Sequence, residues 1–234
     1  LSNKWDGMRA RTGVDPADSD ATGADTSGPV PEPPYFGALS SGPWFTCGLQ
    51  PSTERIKCWG QRIERYGLQP PTTRFQGLAA GAYHVCGLRA SDGSVDCWGS
   101  NQFGQLDAPQ GAFTEITAGM VHTCGLREEG GVVCWGMGDG DGGNSEHGLN
   151  FQQAVAPSGQ FSTLSAGLFH TCGIEKASGR VRCWGLGSRE GSGEASGADL
   201  TVAVDADQAM APEDVRFEDV AGGGWHTCGI TEDG

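Results

Sequence analysis

From Tyr35 onward the chain alternates short apolar runs with glycine-rich breaks, and the runs fall into two recurring phrases. The first reads WFTCGL, YHVCGL, VHTCGL, FHTCGI and WHTCGI, carrying Cys47, Cys86, Cys124, Cys172 and Cys228. The second reads IKCWG, VDCWG, VVCWG and VRCWG, carrying Cys58, Cys97, Cys134 and Cys183. Turn-forming residues such as Ser91-Asp92-Gly93 and Glu129-Gly130-Gly131 separate the two phrases. A strand, a short glycine-containing turn and a second strand make a β-hairpin. Eleven residues before each leading cysteine stands Phe36, Phe75, Phe113, Phe161 or Phe217, and five before it stands Gly42, Gly81, Gly119, Gly167 or Gly223. Five copies without a slip in either offset establish an internal repeat.

The hairpin accounts for the cysteines. Residues directly opposed on antiparallel strands bring their Cβ atoms within about 4.5–5.5 Å, and a small adjustment reaches disulfide geometry. The spacing therefore pairs Cys47 with Cys58, Cys86 with Cys97, Cys124 with Cys134, and Cys172 with Cys183. Each bridge closes a short loop and removes on the order of 2–3 kcal/mol of denatured-state entropy. Cys228 has no second phrase after it: either the natural chain continues past Gly234, or Cys228 is a free thiol or bridges to another molecule.

Leading cysteines are 39, 38, 48 and 56 residues apart. The shorter spacings approach the roughly 40–50 residues of a four-stranded propeller blade. The expected fold is all-β: a β-propeller of four-stranded blades with a hairpin disulfide inside each, beginning near 36, 75, 113, 161 and 217, with about four and a half repeats present. The extra residues of the third and fourth copies fall after the CWG phrase, in Met137 to Gln160 and Leu186 to Arg216, and so emerge on one face of the array. Residues 1–34 do not follow the repeat. Asp15 to Pro34 is acidic, rich in small polar residues and proline, and reads as a linker. Leu1 to Thr12, with Trp5, Met8, Lys4, Arg9 and Arg11, reads as a disordered tail or a docking peptide.

Copy two carries the fullest form of the motif: Ala80-Gly81, His84, Cys86-Gly87-Leu88, Gly93, Val95, Cys97-Trp98-Gly99, Asn101 and Gly104-Gln105-Leu106. It resembles the regulator of chromosome condensation repeat family, over roughly Tyr35 to Gly234. The resemblance implies a ring of four-stranded blades, commonly seven. The cysteine-bearing form is similar to repeats of bacterial surface and secreted proteins. Founding nuclear members are exchange factors for a small GTPase that touch chromatin, and a secreted relative inhibits β-lactamases.

A formal charge of −14 repels phosphate backbones and anionic lipid, which argues against nucleic-acid binding. No apolar run is long enough to span a membrane as a helix. Association with a membrane would run through a partner or an N-terminal tether. Nine cysteines at regular spacing point to an oxidising compartment: secreted, periplasmic or cell surface. Leu1 in first place is what a mature chain or a fragment would show.

Candidate chemistry is sparse. His84, His122, His170 and His226 each precede a leading cysteine by two residues. A zinc site needs about four ligands and each repeat supplies three, so these read as structural histidines hydrogen-bonded inside each blade. Trp59, Trp98, Trp135 and Trp184 hold one register per repeat and read as packing between blades, with a row of sugar-binding rings as the alternative. Asp139, Asp141, Asn144 and Glu146 make an oxygen-rich loop that could hold calcium but departs from the helix-loop-helix pattern; a solvated turn is the plainer reading. Glu128-Glu129 and Glu213-Asp214 read as solvated charges, and His147 is the single histidine outside the repeat. No catalytic set, phosphate-binding loop or cofactor motif is present. The expectation is a non-catalytic interaction module or accessory subunit of an envelope assembly that binds a protein partner through the two insertions. A carbohydrate-binding propeller and, after it, a propeller enzyme are the competing readings.

Overall fold

The structure, a computed structural model, describes residues 35–138, 151–186, 211–212 and 214–233. Among the described residues there are fourteen strands and no helix. Each copy of the repeat forms its own antiparallel sheet, with strands in chain order. The first sheet holds β1 (Ala38–Ser41), β2 (Phe45–Gln50) and β3 (Arg55–Gly60), and the second β4 (Phe75–Ala80), β5 (His84–Arg89) and β6 (Val95–Gly99). The third holds β7 (Glu115–Ala118), β8 (His122–Leu126) and β9 (Val132–Gly136). The fourth holds β10 (Phe161–Ala166), β11 (His170–Glu175) and β12 (Val181–Gly185), and the fifth β13 (Phe217–Gly222) and β14 (Thr227–Thr231).

The register places the cysteines of each hairpin directly opposite one another, Cys47 against Cys58 and so through the fourth sheet. Cα separations of 4.0 and 4.1 Å let all four pairs form disulfides. The turns are built for the reversal. In the second sheet Asp92 Oδ1 accepts from the Ser94 N–H at 2.9 Å, while Gly93 takes φ 68°, where a side chain would be strained.

Four strands per blade were expected, and the described residues pair three in each of the first four sheets and two in the fifth. The stretch after the CWG phrase contains Pro70 and Pro71 in the first copy, Pro109 in the second and Pro157 in the third. Proline has no N–H to donate to a ladder. The described parts of these stretches run as loops instead, the first two tied by the Trp98 Nε1–H to the Leu68 carbonyl and the Trp135 Nε1–H to the Gln105 carbonyl, each at 3.1 Å.

The invariant phenylalanine and the glycine after each cysteine fit each other. A Cβ on Gly87 would stand 2.5 Å from the Phe75 ring, and the same collision recurs between Gly229 and Phe217. The glycine five residues before each cysteine allows the innermost strands to converge: a Cβ on Gly81, Gly119 or Gly167 would meet the carbonyl of the corresponding glycine in the next blade at 2.5 or 2.6 Å. Side-chain hydroxyls bridge these strands, Ser40 to the Ala80 N–H, Thr117 to the Ala166 N–H and Ser165 to the Gly222 N–H. Between successive blades lie separate apolar clusters: Phe45, Ile56, Phe75 and Trp98; then Leu88, Phe113 and Trp135; then Leu126, Phe161 and Trp184; then Ile174 and Val220. Each blade thus contributes its cysteine face to one junction and its tryptophan face to the other.

Candidate functional site

The histidines define the blade junctions and not the interior of a blade. His84 Nε2 hydrogen-bonds Thr123 Oγ1 at 2.7 Å, His122 bonds Thr171 at 2.9 Å, and His170 bonds Thr227 at 2.8 Å, always reaching one blade forward. This corrects the expected hydrogen bond within a blade, because β-strand residues facing the next sheet find their partners there. The threonine hydroxyls also approach the disulfide sulfurs of Cys86, Cys124 and Cys172 at 3.7, 3.7 and 3.5 Å. Burial pushes the imidazole of His84 down to about 4. Burial, reinforced by His84 and His170, pushes His122 to about 3. Burial and then His226 push His170 to about 4. The three are neutral at physiological pH and structural. His226 is exposed at the last blade.

Trp98, Trp135 and Trp184 are buried, while Trp59 is 45% exposed and stacks on Phe36 of its own blade at 5.2 Å. One accessible ring of the four does not make a sugar-binding row. Cys228 is an exposed thiol. Asp139, Asp141, Asn144 and Glu146, His147, Glu213, half of the first insertion and most of the second lie outside the described residues. Among the described residues no group of three or more His, Cys, Asp or Glu side chains could hold a metal ion. One carboxylate missed in the sequence is Glu115, whose Oε1 accepts from the Leu164 N–H at 2.9 Å and the Thr163 hydroxyl at 3.0 Å across the third and fourth blades. Burial pushes its carboxyl up, against the two hydrogen bonds.

One position of the repeat forms a rim that is mostly aromatic, exposed at Trp44 and Trp225, half-buried at Tyr83 and buried at Val121 and Phe169. The position three before each leading cysteine holds Trp44, Tyr83, Val121, Phe169 and Trp225. Its carbonyl accepts from the residue just after the CWG phrase of the same blade: Gln61 to Trp44, Ser100 to Tyr83, Met137 to Val121, and Leu186 to Phe169, at 2.8 to 3.0 Å. The two long insertions therefore leave the fold at this rim. Tyr83 meets Tyr66 edge-to-face at 5.2 Å, Phe169 meets Phe151 at 5.5 Å and Trp225 at 5.6 Å. The Arg62 guanidinium lies 4.0 Å over Trp44. A cavity of about 690 Å³ opens on the same rim between Tyr66, Tyr83, Phe103 and Val121. A smaller one, about 420 Å³, lies where the glycines of the innermost strands converge.

The regulator of chromosome condensation (RCC1) repeat model matches residues 75–105 and 161–191. Among solved structures, the entire ectodomain of the receptor kinase CR4 from Physcomitrella patens is similar at 26% identity with a TM-score of 0.62, over 85% of this chain and 47% of that one. The CRINKLY WD40 ectodomain of the Arabidopsis thaliana receptor kinase ACR4 is similar at 26% identity with a TM-score of 0.60, over 84% and 59%. Yeast RCC1 (Prp20), solved with Kap60 bound, shares the fold at 16% identity with a TM-score of 0.58, over 85% and 54%. The chain spans about half the length of these solved chains. No curated protein matches it.

Proposed function

We propose that this array of RCC1 repeats is an extracytoplasmic protein-interaction module, an accessory subunit of an envelope assembly, and that it catalyses nothing. The observation that carries the reading is that both long insertions begin at the aromatic rim, where Met137 and Leu186 donate backbone hydrogen bonds to Val121 and Phe169. A rigid scaffold holding variable loops at one rim is how repeat folds offer a binding surface. Aromatic rings and arginine, the residue types enriched at interface hot spots, line that rim.

Four disulfides in a chain of this size favour an oxidising compartment. The two plant relatives, which are receptor-kinase ectodomains, agree with that placement. Yeast Prp20, whose binding to Gsp1p and histones has been studied, supports protein binding as a use of the fold. The charge of −14 weighs against carrying over any contact with nucleic acid. No helix among the described residues is long and apolar enough to cross a membrane.

The test replaces residues 139–150 and 187–210 with short glycine-serine links and compares affinity capture from the envelope and secreted fractions of the native host. Specific partners captured by the whole chain should be lost from the deleted one. Equal capture by both would refute the insertions as the binding face.

A further inference from the structure

At the rim position the first, second, fourth and fifth blades present a large ring, and the third presents Val121. Tyr83 and Phe169 fill their junctions by meeting a ring from the preceding copy. Val121 brings no ring, and the 690 Å³ cavity opens at that point. Two polar groups on its wall are unspent. Gln105 is fully buried, and its Oε1 accepts from the Phe103 N–H at 2.8 Å. That bond fixes the orientation of the amide, and the remaining Nε2 donor has no acceptor among the described residues. Arg65 is exposed beside Tyr66, 5.6 Å from its ring, and forms no ion pair among the described residues.

We infer that this cavity is the anchor pocket of the interaction surface, and that it takes an aromatic side chain of a protein partner with a carboxylate close by in the partner's sequence. The ring replaces the one that Val121 does not supply, and edge-to-face contacts with Phe103 or the tyrosines reward it. A backbone carbonyl of the partner accepts from Gln105 Nε2, ending the isolation of a buried donor. The carboxylate pairs with Arg65, a local cation on a strongly acidic chain. The inference rests on the protein-interaction reading and specifies its chemistry.

The probe is an acetylated, amidated tripeptide with phenylalanine between two aspartates, added at roughly millimolar concentration to the full chain, as suits a single weak anchor. Saturation-transfer NMR should show the phenylalanine ring receiving magnetisation from the protein. Val121→Phe should abolish the signal, since it installs the ring that the neighbouring blades already carry. Arg65→Gln, an exposed change, should weaken affinity about threefold, the scale of one solvent-exposed ion pair. A leucine version of the peptide should not bind. The pocket assignment is overturned if the wild-type chain gives no transfer, if Val121→Phe binds as well as wild type, or if free phenylacetate binds as well as the peptide. It falls alone if the peptide fails while deleting the insertions still abolishes partner capture. If the peptide binds and capture survives the deletions, the pocket stands and the insertion reading falls.

Discussion

At the junction of the first and second blades the chain makes the histidine–threonine contact with different side chains. Phe45 stands for the histidine and Val85 for the threonine, and both are buried in one cluster. The molecule thus contains its own control for the polar pair. His122→Leu should leave the Thr171 hydroxyl buried without its partner and cost about 1–3 kcal/mol. The double change His122→Phe with Thr171→Val should recover most of that loss, because the first junction already packs that pair. Urea unfolding midpoints of the single and double variants measure both. The histidines also fix an acid limit. Their folded-state values of about 4, 3 and 4 lie below the ordinary 6.5. Between the folded and unfolded values the unfolded chain binds more protons, so stability falls as pH falls. The contribution is whole above about pH 6.5 and shrinks toward pH 4 by roughly 1.4 kcal/mol per pH unit for each fully effective histidine. The urea midpoint should drop between pH 7 and pH 5, and an unchanged midpoint would contradict buried neutral histidines.

The hairpin is the element from which the fold could be read. Cysteines 10 or 11 residues apart around a glycine turn have one antiparallel register that opposes them, and the structure adopts it. The phenylalanine was visible as an offset and Gly87 as part of the first phrase, but their contact was not, because it crosses from the first strand of a blade to the second. Gly87→Ala should push a methyl group into the Phe75 ring and cost about 1–3 kcal/mol. Thermal melting of that variant checks the contact, and a neutral result would refute it. The rim cavity was illegible for a different reason. It draws on three stretches, around Tyr66, Phe103 and Val121, and lies where one copy has valine in place of a ring. A repeat alignment highlights what recurs, so Val121 passes as an ordinary apolar residue. The histidine's partner lay 39 to 57 residues away in another copy, beyond any local pattern.

Across the whole array, each junction joins the cysteine face of one blade to the tryptophan face of the next. The first blade turns its tryptophan face outward, which is why Trp59 is 45% exposed while its three counterparts are buried. The fifth turns its cysteine face outward, leaving His226, Cys228 and Ile230 exposed. The first four repeats are each cross-linked within themselves, which requires an oxidising environment. The most direct measurement is peptide mapping by mass spectrometry of protein isolated from its native host, with free thiols blocked at lysis. Bridges should join Cys47 to Cys58, Cys86 to Cys97, Cys124 to Cys134 and Cys172 to Cys183, with Cys228 outside them. Blocked thiols at those eight positions, or bridges running between repeats, would contradict both the fold as described and the extracytoplasmic role.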